Sequence, residues 1–305
     1  MNDVADLSAG ARADDPRAAV LVTADELAAD LRLAGPDPVA GAPVLLDVRW
    51  ALGMTDGHER YRDGHLPGAV YVDLDTELAA PPSPAEGRHP LPSTAQLQQA
   101  ARRWGVRAGS RVVAYDAVGG TSAARAWWLL RYFGLRDVRI LDGGLAAWER
   151  TGRDLETGEV VPAPGDVVLS PGHLPTLTAD EAARLADGDG VLLDARAPER
   201  YRGEAEPVDP RAGHVPGALS APTAGNLDDD GTFRSTAALR ERFSGLGIGS
   251  DGGGPVGVYC GSGVTAAHQV AALAALGVTA ALYPGSWSQW SNDPERPAAT
   301  GPGPR

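Results

Sequence analysis

A single cysteine stands in this 305-residue chain, at Cys260, inside the run Val256-Gly257-Val258-Tyr259-Cys260-Gly261-Ser262-Gly263-Val264-Thr265-Ala266-Ala267. Val256 to Tyr259 is β-prone, glycines at 261 and 263 predict a tight loop, and Ala266 to Leu276 reads as a helix. A strand that ends in a glycine loop opening a helix gathers backbone N–H groups at one point, and the positive end of the helix dipole adds to them. A thiolate held there accepts those hydrogen bonds, so the chemistry implied is nucleophilic attack by sulfur. A cysteine without such a loop is more often a small buried apolar residue.

Composition narrows the classes. With 27 basic against 40 acidic residues the net charge is −13, which argues against nucleic acid or an anionic membrane as partner. One cysteine excludes an intrachain disulfide and any multi-thiolate metal site. The six histidines form no metal-ligand pattern, and no glycine-rich phosphate loop with a following lysine occurs, so neither metal nor cofactor is expected. Residues 1–17 carry no cationic start and no apolar core, and no apolar run reaches about 18 residues, so neither a secretory signal nor a membrane span is expected. A free thiol suits a reducing compartment, so the expected location is the cytoplasm.

The elements that must position Cys260 occur twice. After a polar tail expected over residues 1–19, Thr23 and Glu26 form a capping-box pattern for a helix to about Leu33. Val44 to Arg49 reads as a buried strand ending in a charged pair, Tyr61 to Ala69 as turns, and the Pro-rich stretch 80–92 as loop. A helix at 94–104, a strand at 111–115, a helix at 123–133, a strand at 138–141 and a short helix at 145–150 follow. Val191 to Arg196 then repeats 44–49, Gly213 to Ala218 repeats Gly64 to Ala69, Val258-Tyr259-Cys260 falls where Ala114-Tyr115-Asp116 fell, and Pro284 to Trp290 repeats Asp142 to Trp148. Four motifs in one order, offset by 142 to 149 residues, predict a tandem duplication of one α/β domain. The expected units are 20–156 and 176–297, joined by a Pro- and Gly-rich linker at 157–175, each a mostly parallel central sheet flanked by helices.

The copies differ where chemistry is expected. Asp116 replaces the thiol in the first, cannot be a sulfur nucleophile and repels an anionic ligand. Chemistry at this loop therefore belongs to the second domain, and the first supplies one wall of an interdomain cleft. Asp47 and Asp194, Arg49 and Arg196, and His65 and His214 occur in both copies, which points to scaffold roles. Trp127, Trp128, Trp148, Trp287 and Trp290 fit helix faces packed on sheets, and Trp287 also lies near the expected cleft.

The pairs Leu46-Asp47-Val48-Arg49 and Leu193-Asp194-Ala195-Arg196, and His65-Leu66-Pro67-Gly68-Ala69 and His214-Val215-Pro216-Gly217-Ala218, together with Leu141-Asp142-Gly143-Gly144, resemble the tandem-domain rhodaneses over residues 20–297. The loop Cys260-Gly261-Ser262-Gly263-Val264-Thr265-Ala266 looks like that of the 3-mercaptopyruvate sulfurtransferase branch, because thiosulfate-preferring members carry basic residues where Gly261 and Ser262 stand. The resemblance implies sulfur transfer through a Cys260 persulfide from a small-molecule donor to a thiol or cyanide, thioredoxin being one candidate acceptor. It implies that backbone N–H groups of Gly261, Gly263, Val264 and Thr265 hold the sulfur, and that Ser262 works with Asp75 and His89 from the first domain. Arg200 and Arg211 resemble the two arginines that bind the donor carboxylate, which a guanidinium fork suits.

There are three competing readings, of which the second lacks its required residue. A thiosulfate:cyanide sulfurtransferase would use the same cysteine. A cysteine-dependent phosphatase needs an arginine closing its loop, and Ala266 stands six residues after Cys260. A non-catalytic persulfide carrier would hold sulfur without turning over.

Overall fold

The computed structural model describes residues 15–34, 41–188, 190–249 and 254–304. In the first repeat β1 (Leu21–Val22) leads into α1 (Ala24–Ala34), whose start carries the capping box: Glu26 N–H donates to Thr23 Oγ1 at 3.3 Å and Thr23 N–H to Glu26 Oε2 at 3.0 Å. β2 (Val44–Asp47), α2 (Gly57–Asp63), β3 (Val70–Tyr71), α3 (Leu74–Glu77), α4 (Thr94–Arg103), β4 (Val112–Tyr115), α5 (Ala123–Tyr132), β5 (Val138–Leu141) and α6 (Gly144–Arg150) follow. The second repeat runs α7 (Ala179–Asp187), β6 (Val191–Asp194), α8 (Pro198–Tyr201), β7 (Leu219–Ser220), α9 (Thr236–Ser244), β8 (Val256–Tyr259), α10 (Thr265–Ala274), β9 (Ala280–Leu282) and α11 (Ser286–Trp290).

Five strands pair in the order β1-β5-β4-β2-β3 and four in the order β7-β6-β8-β9, every pairing parallel. The central strands β4 and β8 are buried on both faces, which is why VVAY and VGVY read as continuous rather than alternating runs. Asp116 and Cys260 follow immediately at their carboxyl ends, where parallel sheets place ligand sites.

The repeated polar residues make the same bonds in each half. Tyr61 OH donates to Ala69 O at 2.8 Å and Tyr201 OH to Ala218 O at 2.8 Å. His65 Nδ1 lies 2.9 Å from Tyr61 O and His214 Nδ1 2.8 Å from Tyr201 O, each ring stacked on its tyrosine. Asp47 pairs with Arg49 at 2.6 Å and Asp194 with Arg196 at 2.7 Å. These motifs pin turns, which explains their presence in a half that lacks the thiol.

Three segments outside the helices and strands are bound to the repeats. Residues 157–175 have neither helix nor strand, yet they strap onto the first repeat: Gly165 N–H donates to Arg102 O, Val167 N–H to Val106 O and Ser170 N–H to Phe133 O. Of the polar tail, residues 1–14 lie outside the described residues, but Arg17 is bound. It donates to Asp142 Oδ2 in the first repeat and to Phe233 O and Arg234 O in the second, at 2.8 to 3.0 Å. The second unit also extends past 297, since Ala299 pairs with His214 as Glu156 pairs with His65. The two repeats meet through α5 and α10, which follow the Asp116 and Cys260 loops and share one apolar core.

Candidate active site

Cys260 is 2 % exposed and lines a cleft of about 380 Å³ between the repeats. Gly263 N–H donates to Cys260 Sγ at 3.1 Å. Gly263 has φ +79° and a Cβ there would lie 2.6 Å from Pro284 O, so only glycine lets the loop turn this N–H onto the sulfur. From behind, Cys260 N–H donates to Ser286 Oγ at 3.2 Å, Trp287 N–H to Cys260 O at 2.9 Å and Ser288 N–H to Gly261 O at 2.8 Å. Ser286 is the one non-glycine residue with positive φ, 52°, among the described residues, a conformation that costs about 1–2 kcal/mol and is held by the contacts around it.

The first repeat reaches into this centre with two residues. α3, capped by Asp73 accepting from Thr76 N–H, presents Asp75, and the 80–92 loop presents His89. His89 Nδ1 lies 2.7 Å from Ser262 Oγ and Nε2 lies 3.1 Å from Asp75 Oδ1. The geometry fits an imidazole that keeps its proton on Nε2 for Asp75 and accepts the Ser262 hydroxyl on Nδ1. Burial, reinforced by the Arg125 charge, lowers His89 to about 4, so the ring is neutral at pH 7. The 80–92 loop is fixed by the second repeat: Arg88 N–H donates to Ser288 Oγ at 3.0 Å and Gln289 Nε2 to Ala85 O at 2.6 Å.

Arg200 also lines the cleft, its Nη2 bound to Glu206 Oε1 at 2.6 Å and Asp209 Oδ2 at 3.1 Å. Arg211 does not line it, contrary to expectation. Its guanidinium donates to four main-chain oxygens, Ser291, Arg296, Trp290 and Asp293, at 2.6 to 2.9 Å, and so holds the chain after α11. Asp209, two residues before Arg211, pairs with Arg88 and Arg200. Trp287 is fully buried under Arg196, with Nε1 donating to Arg211 O at 2.8 Å, and makes no wall of the cleft.

Arg88 was missed from the sequence and stands where a second arginine was sought. A Cβ at Gly261 would lie 3.0 Å from Arg88 Nη2 and 3.2 Å from Arg200 Nη1, so two guanidinium groups from opposite repeats cover the residue next to the sulfur. Trp50 was missed as well: it lines the cleft, donates from Nε1 to both Asp75 oxygens at 3.1 Å and packs edge-on to His89 at 5.5 Å. Its sequence signal was its place just past β2, at the carboxyl end of a parallel strand.

Among the described residues no cluster of three or more His, Cys, Asp or Glu side chains is arranged to hold a metal. Chemically the cleft offers a sulfur nucleophile, a hydroxyl–imidazole–carboxylate chain and two cations.

The rhodanese-like domain model matches residues 23–151 and again 178–293. The "Putative thiosulfate sulfurtransferase SseB" of Mycobacterium tuberculosis is 52 % identical over 291 residues, 93 % of this chain and 98 % of that protein. The "Probable 3-mercaptopyruvate sulfurtransferase" of Pseudomonas aeruginosa is 47 % identical over 293 residues, covering 93 % and 99 %. The crystal structure of SseA from Escherichia coli, described as a 3-mercaptopyruvate sulfotransferase with the rhodanese fold, superposes with a TM-score of 0.75 at 35 % identity, covering 88 % of this chain and 98 % of that one. Two matches to one domain model, carried by two parallel sheets whose second alone ends in a cysteine loop, place this chain in the rhodanese family, among its tandem-domain sulfurtransferases.

Proposed function

We propose that the protein moves sulfur from 3-mercaptopyruvate through a persulfide on Cys260 to a thiol or cyanide acceptor. The observation that carries this donor is the Asp75–His89–Ser262 chain beside the cysteine, at 3.1 and 2.7 Å. The Cys260 thiolate attacks the donor sulfur, a new S–S bond forms, and the S–C bond gives its electron pair to the pyruvate enolate. The proton first carried by the donor sulfur ends on the enolate carbon, so thiolate and 3-mercaptopyruvate become persulfide anion and pyruvate. That proton must travel, and a neutral His89 that accepts from Ser262 while bonded to Asp75 is a relay for it. Gly263 N–H, joined by those of Gly261, Val264 and Thr265, holds the sulfur anion, and Arg200 with Arg88 meets the carboxylate. An acceptor then attacks the outer sulfur, which makes the cycle ping-pong.

A second reading, thiosulfate as donor, is favoured by the Arg88 and Arg200 guanidinium groups over Gly261. They bring, from the 80–92 loop and from α8, the positive charge that the cysteine loop itself lacks. Thioredoxin stays among the candidate acceptors, and the cytoplasm remains the location we propose; no helix among the described residues is long and apolar enough to cross a membrane. The test is kcat/KM with each donor and cyanide as common acceptor. A preference for 3-mercaptopyruvate supports the relay as part of the reaction, and a preference for thiosulfate overturns that donor and leaves the relay idle. Binding of one sulfur without turnover would make the protein a carrier.

A further inference from the structure

Arg125 lies in the first turn of α5, where the equivalent turn of α10 has Ala267. It is completely buried, and among the described residues its guanidinium donates only to main-chain oxygens: Leu78 O, His89 O at 2.9 Å, Pro90 O, and Gly263 O at 3.3 Å across the domain boundary. No carboxylate pairs with it among the described residues. A buried cation without a counter-charge is expensive, and carbonyl dipoles offset only part of that cost. Its bonds to His89 O and Gly263 O bring it to the backbone beside two ionisable groups, His89 of the 80–92 loop and Cys260 at the mouth of α10, and its charge acts on both.

We propose that Arg125, in the repeat that has no cysteine, is the positioning residue and buried counter-charge of the Cys260 centre. It holds the main chain on both sides of the reacting sulfur, at His89 and at Gly263, and the sulfur anion balances its charge. Gly263 links the two functions, because its N–H meets Cys260 Sγ at 3.1 Å while its carbonyl meets Arg125. Burial pulls Arg125 down to about 10 while the Cys260 sulfur pushes it up, and Arg125 adds to the burial that keeps His89 neutral. Helix α5 therefore gives the thiolate, and the persulfide that follows it, a fully buried cation in addition to Arg200 of the second repeat. The first repeat is a wall of the cleft and also half of its charge balance.

The inference rests on Cys260 as the nucleophile but not on the identity of the donor. Arg125→Met and Arg125→Lys are compared with the natural protein at pH 7.5 by thiolate absorbance near 240 nm and by the rate of Cys260 alkylation with iodoacetamide. Arg125→Met should lose the absorbance and slow alkylation roughly tenfold or more, while Arg125→Lys, which keeps the charge, recovers most of both. A folded Arg125→Met with natural absorbance and alkylation overturns the proposal. If Arg125→Met does not fold, Cys260→Ser decides: without the sulfur anion it should melt below the natural protein at pH 7.5, and an equal melting temperature overturns the counter-charge. Failure of the natural protein to alkylate at Cys260 or to turn over any donor would instead remove the sulfurtransferase reading itself.

Discussion

Asp116 and Cys260 occupy the same corner of the same fold, and the two loops solve the same problem differently. At the end of β4 the Asp116 carboxylate accepts N–H bonds from Val118 and Gly120 on one oxygen and from Ser122 and Ala123 on the other, at 2.8 to 2.9 Å. The first loop fills its own cradle of N–H groups with a built-in anion. Burial pushes Asp116 up, and those four bonds pull it back towards the charged form. At the end of β8 a thiol takes that place with one such bond, from Gly263, and the loop is shorter: α10 begins five residues after Cys260, α5 seven after Asp116. Behind each loop stands a residue of positive φ, Gly144 in the first repeat and Ser286 in the second, where the hydroxyl also accepts Cys260 N–H. One duplication has thus given an anion site closed by its own side chain and another left open to a ligand.

Variants can break this comparison, the most damaging being Cys260→Ser. Sulfur transfer should fall by a factor of roughly 10³ or more in a protein that still folds, its melting temperature lowered only by the loss of the counter-charge of Arg125, as read by thiocyanate formation and by calorimetry. Asp116→Ala should do the reverse, since four buried N–H groups lose their acceptor: stability should fall by roughly 3 kcal/mol or more in urea titrations, with kcat of the remaining folded enzyme largely kept. Arg200→Ala and Arg88→Ala should each raise KM for 3-mercaptopyruvate about tenfold, while Arg211→Met lowers the melting temperature and leaves KM alone. A rise in KM for Arg211→Met alone would restore its expected place in the cleft. The smallest effect concerns pH. His89 and His268 are both lowered to about 4 by burial, so between about pH 6.5 and 4 the unfolded chain binds protons that the native state refuses. Stability should decline across that window as pH falls, and His268→Gln should flatten the decline in melting temperature measured from pH 7 to 4.

The fold was legible because duplication repeats its signals: the two LLD strand ends, the two H-x-P-G-A turns and the two short helices after the last strands fall at matching positions. The short helices α2, α3 and α8 were not legible, since four to seven polar residues carry no apolar periodicity. Within the site, Cys260 follows from one local motif, whereas the roles of Ser262, Asp75 and His89 came from resemblance alone. Arg88 stayed hidden because its position depends on Ser288 and Asp209, 200 and 121 residues away. Arg211 misled because an arginine near the cleft in sequence can spend its donors on carbonyls, and no pattern in the chain distinguishes the two uses. Arg125 reads as one more polar residue in a helix until the packing of α5 on α10 closes over it.

The claim that sulfur passes through one loop and not its twin is tested most directly by intact-protein mass spectrometry. The desalted enzyme is mixed with 3-mercaptopyruvate, and then with cyanide. The account predicts a gain of one sulfur atom per chain, mapped to the peptide containing Cys260, and its complete loss as one equivalent of thiocyanate. Turnover of donor and cyanide with no sulfur-bearing form of the protein would contradict it.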